Sequence, residues 1–169
     1  MLKKENNFAY IDGANLDKAL KDLGWRLNYK RFRVWLKEKY SVTHAYIFLG
    51  LVPKYRNLYV NLQEAGFVLV FKETIYDSEG KIKGNCDADL VLGAVVDYFE
   101  KKFDKAVLVS SDGDYACLAK FLKNKKSLHS IISPGNKCSF LLRKLNTSLS
   151  YLDAQKERLE YEPKRKSPR

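Results

Sequence analysis

The sequence predicts an α/β domain, a mainly parallel sheet of five or six strands with helices on both faces. Two observations carry this expectation. Short runs rich in Val, Ile, Leu, Phe and Tyr alternate along the chain with longer segments whose apolar residues recur at helical spacing. Strands that alternate with helices in this way pair in parallel and are covered on both sides. In addition, the buried run ending at Val109-Ser110 leads through Ser111-Asp112-Gly113-Asp114 directly into a helical pattern at Tyr115, Leu118, Ala119 and Leu122. That places two acids at the carboxyl edge of a sheet, where open α/β folds bind their ligands.

Taken in order, residues 8–11 form the first strand, which ends at Asp12-Gly13. Asn15 opens a helix that carries Leu16, Ala19, Leu20 and Leu23 and stops at Gly24. Residues 29–40 form a second, strongly basic helix with Phe32, Trp35 and Leu36 at helical spacing. Residues 43–51 are the second strand, and Pro53 starts a helix that ends at Gly66. Residues 67–71 form the third strand, followed by a polar turn over 76–81. A long helix over 87–100 precedes the fourth strand, 106–110, and the helix 115–122. Residues 128–132 are the fifth strand. A turn at 133–136 then leads into a helix over 139–145, and 148–152 is a sixth, edge strand.

At 169 residues the chain is long enough for one domain with a substantial core. We divide it into an N-terminal extension (1–7), the domain itself (8–160) and a basic tail (161–169). The tail has Pro and charge but nothing to bury, and is expected to be a disordered arm able to touch phosphate. No apolar run approaches the roughly 20 residues of a membrane span. The first residues lack the apolar core of a secretory signal. Cys86, Cys117 and Cys138 lie far apart with no C-x-x-C pair, which suits a reduced cytoplasm better than disulfides or zinc. The formal net charge of +11 points to a polyanion partner, nucleic acid above all. Anionic lipid is less favoured, because no basic amphipathic segment stands apart from the fold.

Three places deliver acids to the same edge. Asp12 ends the first strand, and Asp112 and Asp114 end the fourth. If strand order reverses between those two strands, the acids flank one crevice. Asp87, at the start of the long helix, shares a stripe with Leu90, Val91, Ala94 and Tyr98, the face turned to the sheet, whereas Asp89 points to solvent. Asp97, on the margin of that stripe, is a weaker candidate. Each acid taken alone is equally readable as a helix cap or dipole partner. Together in one crevice they repel, and hard oxygen donors without His or Cys suit Mg²⁺ or Mn²⁺. A basic protein with an acidic metal-binding crevice has the layout of phosphodiester hydrolysis.

At these residues the chain resembles the NYN domain family, a branch of the PIN-like nucleases that includes bacterial LabA-type proteins. The matching segments are Tyr10-Ile11-Asp12-Gly13-Ala14-Asn15-Leu16, Lys83-Gly84 followed by Asp87 and Leu90, and Val109-Ser110-Ser111-Asp112-Gly113-Asp114-Tyr115. Ser133-Pro134-Gly135-Asn136 with Ser139-Phe140-Leu141-Leu142 is similar to the family's last helix. The resemblance implies a Rossmann-like PIN fold and a metal-dependent endoribonuclease that hydrolyses RNA and leaves a 5′-phosphate. It implies that Asp12, Asp87, Asp112 and Asp114 hold Mg²⁺ or Mn²⁺ and carry the catalysis. It implies further that Asn15 orients Asp12 or water and that Ser110 bonds a phosphate or a metal-bound water. Capping and turn bonding are the alternatives for these two. Ser111 stands where Gly is common and joins the substrate-contacting set. The chain departs from the pattern in the inserted pair Asn85-Cys86, with Asp89 as the fallback should the register slip.

Lys83, Tyr55 and Arg56 complete the expected substrate contacts, Tyr55 by stacking and Arg56 by gripping a nucleotide. The basic helix, with Tyr29, Tyr40 and Trp25 nearby, is a candidate RNA-facing surface, and Gly135-Asn136-Lys137 a candidate phosphate site at a helix N-terminus. His44 and His129 read as structural strand residues, which disfavours metal-free cleavage by a histidine pair. The alternative function is a non-catalytic RNA-binding or regulatory protein with the same fold. A dehalogenase-type phosphatase and a toprim-type nuclease fit poorly, since Tyr115 follows the second Asp and Asp12 stands where toprim wants Glu. RNA, single-stranded or structured, is the expected partner, and a homodimer is left open.

Overall fold

The computed structural model describes residues 5–80, 82–83 and 85–163. The strands are β1 (Asn7–Asp12), β2 (Val42–Gly50), β3 (Val68–Lys72), a short pair β4 (Ile75–Tyr76) and β5 (Ile82–Lys83), then β6 (Ala106–Val109), β7 (Leu128–Ser133) and β8 (Leu149–Tyr151). Six of them form one sheet in the order β3-β2-β1-β6-β7-β8, every pairing parallel. The chain first winds outward from β1 to β3. It then crosses back and resumes at β6, on the other side of β1. Strand order therefore reverses between β1 and β6, as the acid-cluster argument requires.

The helices are α1 (Gly13–Leu23), α2 (Tyr29–Tyr40), α3 (Arg56–Glu64), α4 (Asp87–Phe99), α5 (Ala116–Asn124) and the single turns α6 (Phe140–Arg143) and α7 (Lys156–Leu159). Alternation along the strands builds a core on each side. Ala9 and Ile11 of β1 face Leu16, Leu20, Phe32, Trp35, Leu36 and Leu62. Phe8 and Tyr10 face the other way, onto Leu90, Ala94, Leu118, Leu122 and Leu142. Side chains of this size contribute about 1.5–3 kcal/mol each when fully buried. Both faces being covered explains why the strands read as continuous apolar runs.

Several boundaries differ from the sequence reading for local reasons. Pro53–Tyr55 and Gly113–Tyr115 are 3₁₀ turns that precede α3 and α5. The polar stretch after β3 is a small antiparallel hairpin, with the turn closed by Gly80 N–H to the Asp77 carbonyl at 3.0 Å. Two-residue strands carry no period for a sequence to reveal. The segment after β8 is not a plain run to the tail. Leu159 of α7 is fully buried, and the Tyr161 amide bonds the Arg26 carbonyl at 2.7 Å. One buried leucine gives no helical pattern, so tertiary contact holds this turn. Residues 1–4 and 164–169 lie outside the described residues, and with them most of the expected tail.

Gly13 joins β1 to α1 where the neighbouring strand passes close. A Cβ there would meet the Phe48 carbonyl oxygen at 2.8 Å and the Leu49 side chain closer still. Backbone cannot yield as a flexible side chain does. Gly13→Ala is therefore expected to destabilise the protein by about 1–3 kcal/mol, read as a lower midpoint in urea unfolding.

Candidate metal centre

Ile11 pairs with Val109 across β1 and β6, so the residues that follow each strand emerge side by side. Asp12 caps α1: its Oδ1 accepts from the Asn15 amide at 3.0 Å. Asp112 caps the next turn in the same way, its Oδ1 accepting from the Asp114 amide at 3.0 Å. Ser110 lies between them, fully buried. Its hydroxyl donates to Asp12 Oδ2 at 3.5 Å and accepts from the Asp112 amide at 3.1 Å. Capping and clustering thus coexist. A cap takes up one carboxylate oxygen and orients the side chain without neutralising its charge.

Asp87 reaches the same place from the first turn of α4. The Tyr115 hydroxyl donates to its Oδ1 at 2.6 Å, and Asn85 Nδ2 donates to its Oδ2 at 2.9 Å. Asn85 Oδ1 also accepts from the Asp87 amide at 2.7 Å, an Asx turn that fixes the helix start. Asp87, Asp112 and Asp114 each offer a carboxylate oxygen within 4.8 Å of the others. Asp12 is outside that triplet but lines the same crevice as Asp87 and Asp112.

Burial pushes the Asp12 carboxyl above the usual carboxylate range, and the charges of Asp87 and Asp112 add to the rise. The Asn15 amide and the Tyr115 hydroxyl work against it. Tyr115, only 1% exposed, is itself held neutral by burial and by its bond to Asp87. Among the described residues, no Lys or Arg forms a salt bridge with any of the four acids. Convergent carboxylates without a compensating cation form a donor set for a hard divalent ion.

Other expected site residues take different places. Asn15 Oδ1 accepts from both the amide and the hydroxyl of Ser111 at 3.0 Å, so these two residues lock α1 to the turn after β6. Ser110 is sealed off from solvent, which places it under the acids and out of reach of a phosphate. Tyr55 lines the crevice, whereas Arg56 is exposed at the start of α3 and is not part of its wall. Lys83 falls in β5, but its side chain lies outside the described residues. Asp89 turns away and pairs with Lys72 at 3.0 Å. Asp97 accepts from the Tyr10 hydroxyl at 2.8 Å and from Lys102, a structural pairing in the second core.

The basic helix does not offer its aromatics to a ligand as a surface stripe. Trp25, Phe32, Trp35 and Tyr40 are buried, and the Arg33 guanidinium is spent on the carbonyls of Gly66, Val42 and Thr43. Gly135-Asn136-Lys137 does not open a helix either. Ser139 caps α6, a single turn that starts at Phe140. His44 packs against Phe8 and Tyr46, and His129 against Tyr40, both as strand residues.

Two residues that touch the acids escaped the sequence reading, Tyr115 and Asn85. Tyr115 looked like an ordinary core position of a helix, and its hydroxyl was the overlooked signal. Asn85, two residues before Asp87, has the spacing of an Asx turn and stood in the pair read as an insert.

Asp12, Asp87 and Asp112 line a crevice of about 830 Å³ that residues of α1, β2 and α3 also wall. A family model described as "NYN domain" matches residues 9–150. No curated protein matches the chain. Among solved structures, a protein of unknown function from Vibrio parahaemolyticus has the same fold, with a TM-score of 0.78 at 20% identity. The match covers 95% of this chain and 99% of that one.

The raised Asp12 pKa has a consequence for stability. Between its unfolded and folded values the native state binds more protons than the unfolded state, so stability falls as pH rises through that window. Asn caps a helix as well as Asp and carries no charge to desolvate. Asp12→Asn is therefore expected to raise Tm by a few degrees at pH 7 without metal, the gain shrinking below the carboxylate range. Calorimetry across pH checks this.

Proposed function

The chain belongs to the NYN domain family, and on that premise we propose that it is a metal-dependent endoribonuclease acting through Asp12, Asp87, Asp112 and Asp114. The observation that carries the reading is the convergence of three distant segments on one crevice, each bringing a carboxylate. The donor set suits Mg²⁺ or Mn²⁺. It is all oxygen, without His or Cys in the triplet, and the cap on Asp112 falls on its Oδ1. The net charge of +11 favours a polyanionic substrate and raises its local concentration.

A divalent ion bound there would supply charge to a phosphoryl oxygen and make water acidic enough to attack near neutral pH. The chain's own groups do the positioning. Asp12 and Asp112 are aimed by their caps, and Ser110 sets their separation. Asn85 and Tyr115 hold both oxygens of Asp87. Asp114 is exposed and completes the triplet with Asp87 and Asp112. Asn15 and Ser111 keep α1 and the β6 turn in register beneath the phosphate. No helix among the described residues is long and apolar enough to cross a membrane. Cytoplasmic RNA is the partner we assign.

Purified protein should cleave RNA with Mn²⁺ and stop when EDTA is added. Asp12→Asn and Asp112→Asn should each lower the rate at least about 100-fold. Tight RNA binding with no turnover in any divalent metal would instead favour a non-catalytic RNA-binding protein.

Tyr115→Phe removes one hydroxyl and leaves the ring in the core. It should weaken Mn²⁺ binding about 10- to 100-fold by calorimetric titration, with the circular dichroism spectrum unchanged.

A further inference from the structure

The crevice has two unlike ends. Beyond Asp12, Asp87 and Asp112 it continues as an arm walled by Tyr29, Ile47, Val52, Tyr55, Leu58 and Tyr59. Half of this wall is core: Ile47, Val52 and Tyr59 are buried. Tyr55 stands at the mouth, 44% exposed, with the Lys54 ammonium 5.0 Å from its ring centroid. Two polar side chains along the arm are bonded to the backbone. The Tyr59 hydroxyl donates to the Gly50 carbonyl at 3.2 Å and accepts from the Val52 amide at 3.0 Å. Thr74 Oγ1 donates to the Leu51 carbonyl at 2.6 Å.

We propose that this arm seats a nucleobase next to the phosphodiester held at the acids, gripping it by stacking and apolar contact. The inference rests on the nuclease reading of the acid cluster. Whatever fills the arm while a backbone phosphate sits at the acids is covalently joined to that phosphate, and in a nucleic acid that is a nucleoside. An apolar, aromatic wall suits the faces of a base and not the charged backbone. Tyr55 is the residue best placed to stack, being aromatic, half exposed and continuous with the buried wall.

The test uses RNA oligonucleotides of one length, cut in Mn²⁺, with an abasic ribose placed on either side of the bond cleaved. Loss of the base on the arm side should slow cleavage about tenfold. Tyr55→Ala should bring the rate on intact RNA down to that on the abasic oligonucleotide, and Tyr55→Phe should restore the difference. Equal rates on intact and abasic RNA would overturn the base site while leaving the nuclease standing. No cleavage of any RNA in any divalent metal would overturn the nuclease reading, and this inference with it.

Discussion

Every parallel strand of a sheet ends on the same edge, and here two neighbours in space come from opposite halves of the chain. β1 and β6 pair with Ile11 beside Val109, so Asp12 and the Ser110–Asp112 turn emerge within a hydrogen bond of each other. The remaining features of the site follow from that adjacency. Ser110 is buried between the two acids because there is no other path for the chain. α1 and the 3₁₀ turn that leads into α5 both start at this edge, so their first N–H groups need caps, and the caps are the acids. Asp87 then arrives from α4, the helix of the crossover that makes the reversal possible.

Gathering carboxylates in this way is unfavourable for the protein alone. Asp12 is buried to 8% exposure, beside two other negative charges, and holds its proton more tightly than an ordinary aspartate. Nothing in the packing requires charge there, since Asn would cap α1 equally well. The Tyr115 hydroxyl relieves part of the strain by donating to Asp87, and the Asn85 amide relieves more. These are neutral donors. They orient the negative charge without cancelling it, which is the arrangement a cation-binding site needs.

The order of strands and the buried faces of the helices were legible in the sequence because both rest on periodicity. The continuous apolar runs of β1 and β6 and the stripe of Leu90, Ala94 and Asp87 on α4 each predict their own burial. Three kinds of feature were not legible. The β4–β5 hairpin and α7 are too short to carry a period, and contacts such as the buried Leu159 hold them. Whether a polar residue faces ligand or scaffold depends on geometry. For Asn15 and Ser110 the residues alone left ligand contact and scaffold bonding both open, and the hydrogen bonds that these two and Ser111 make within the protein appear only in the fold. Finally, an aromatic at a core position hides its polar tip. Tyr115 fits the helical pattern as Phe would, and only the fold shows that its hydroxyl meets Asp87.

The account depends on the four aspartates forming a cation site. The most direct measurement is a crystal soaked in Mn²⁺ and recorded at the manganese absorption edge. An anomalous peak bounded by carboxylate oxygens of Asp87, Asp112 and Asp114, with Asp12 drawn toward it, is the predicted result. A crevice with no peak at saturating Mn²⁺, and with the carboxylates where they stand now, would contradict the account.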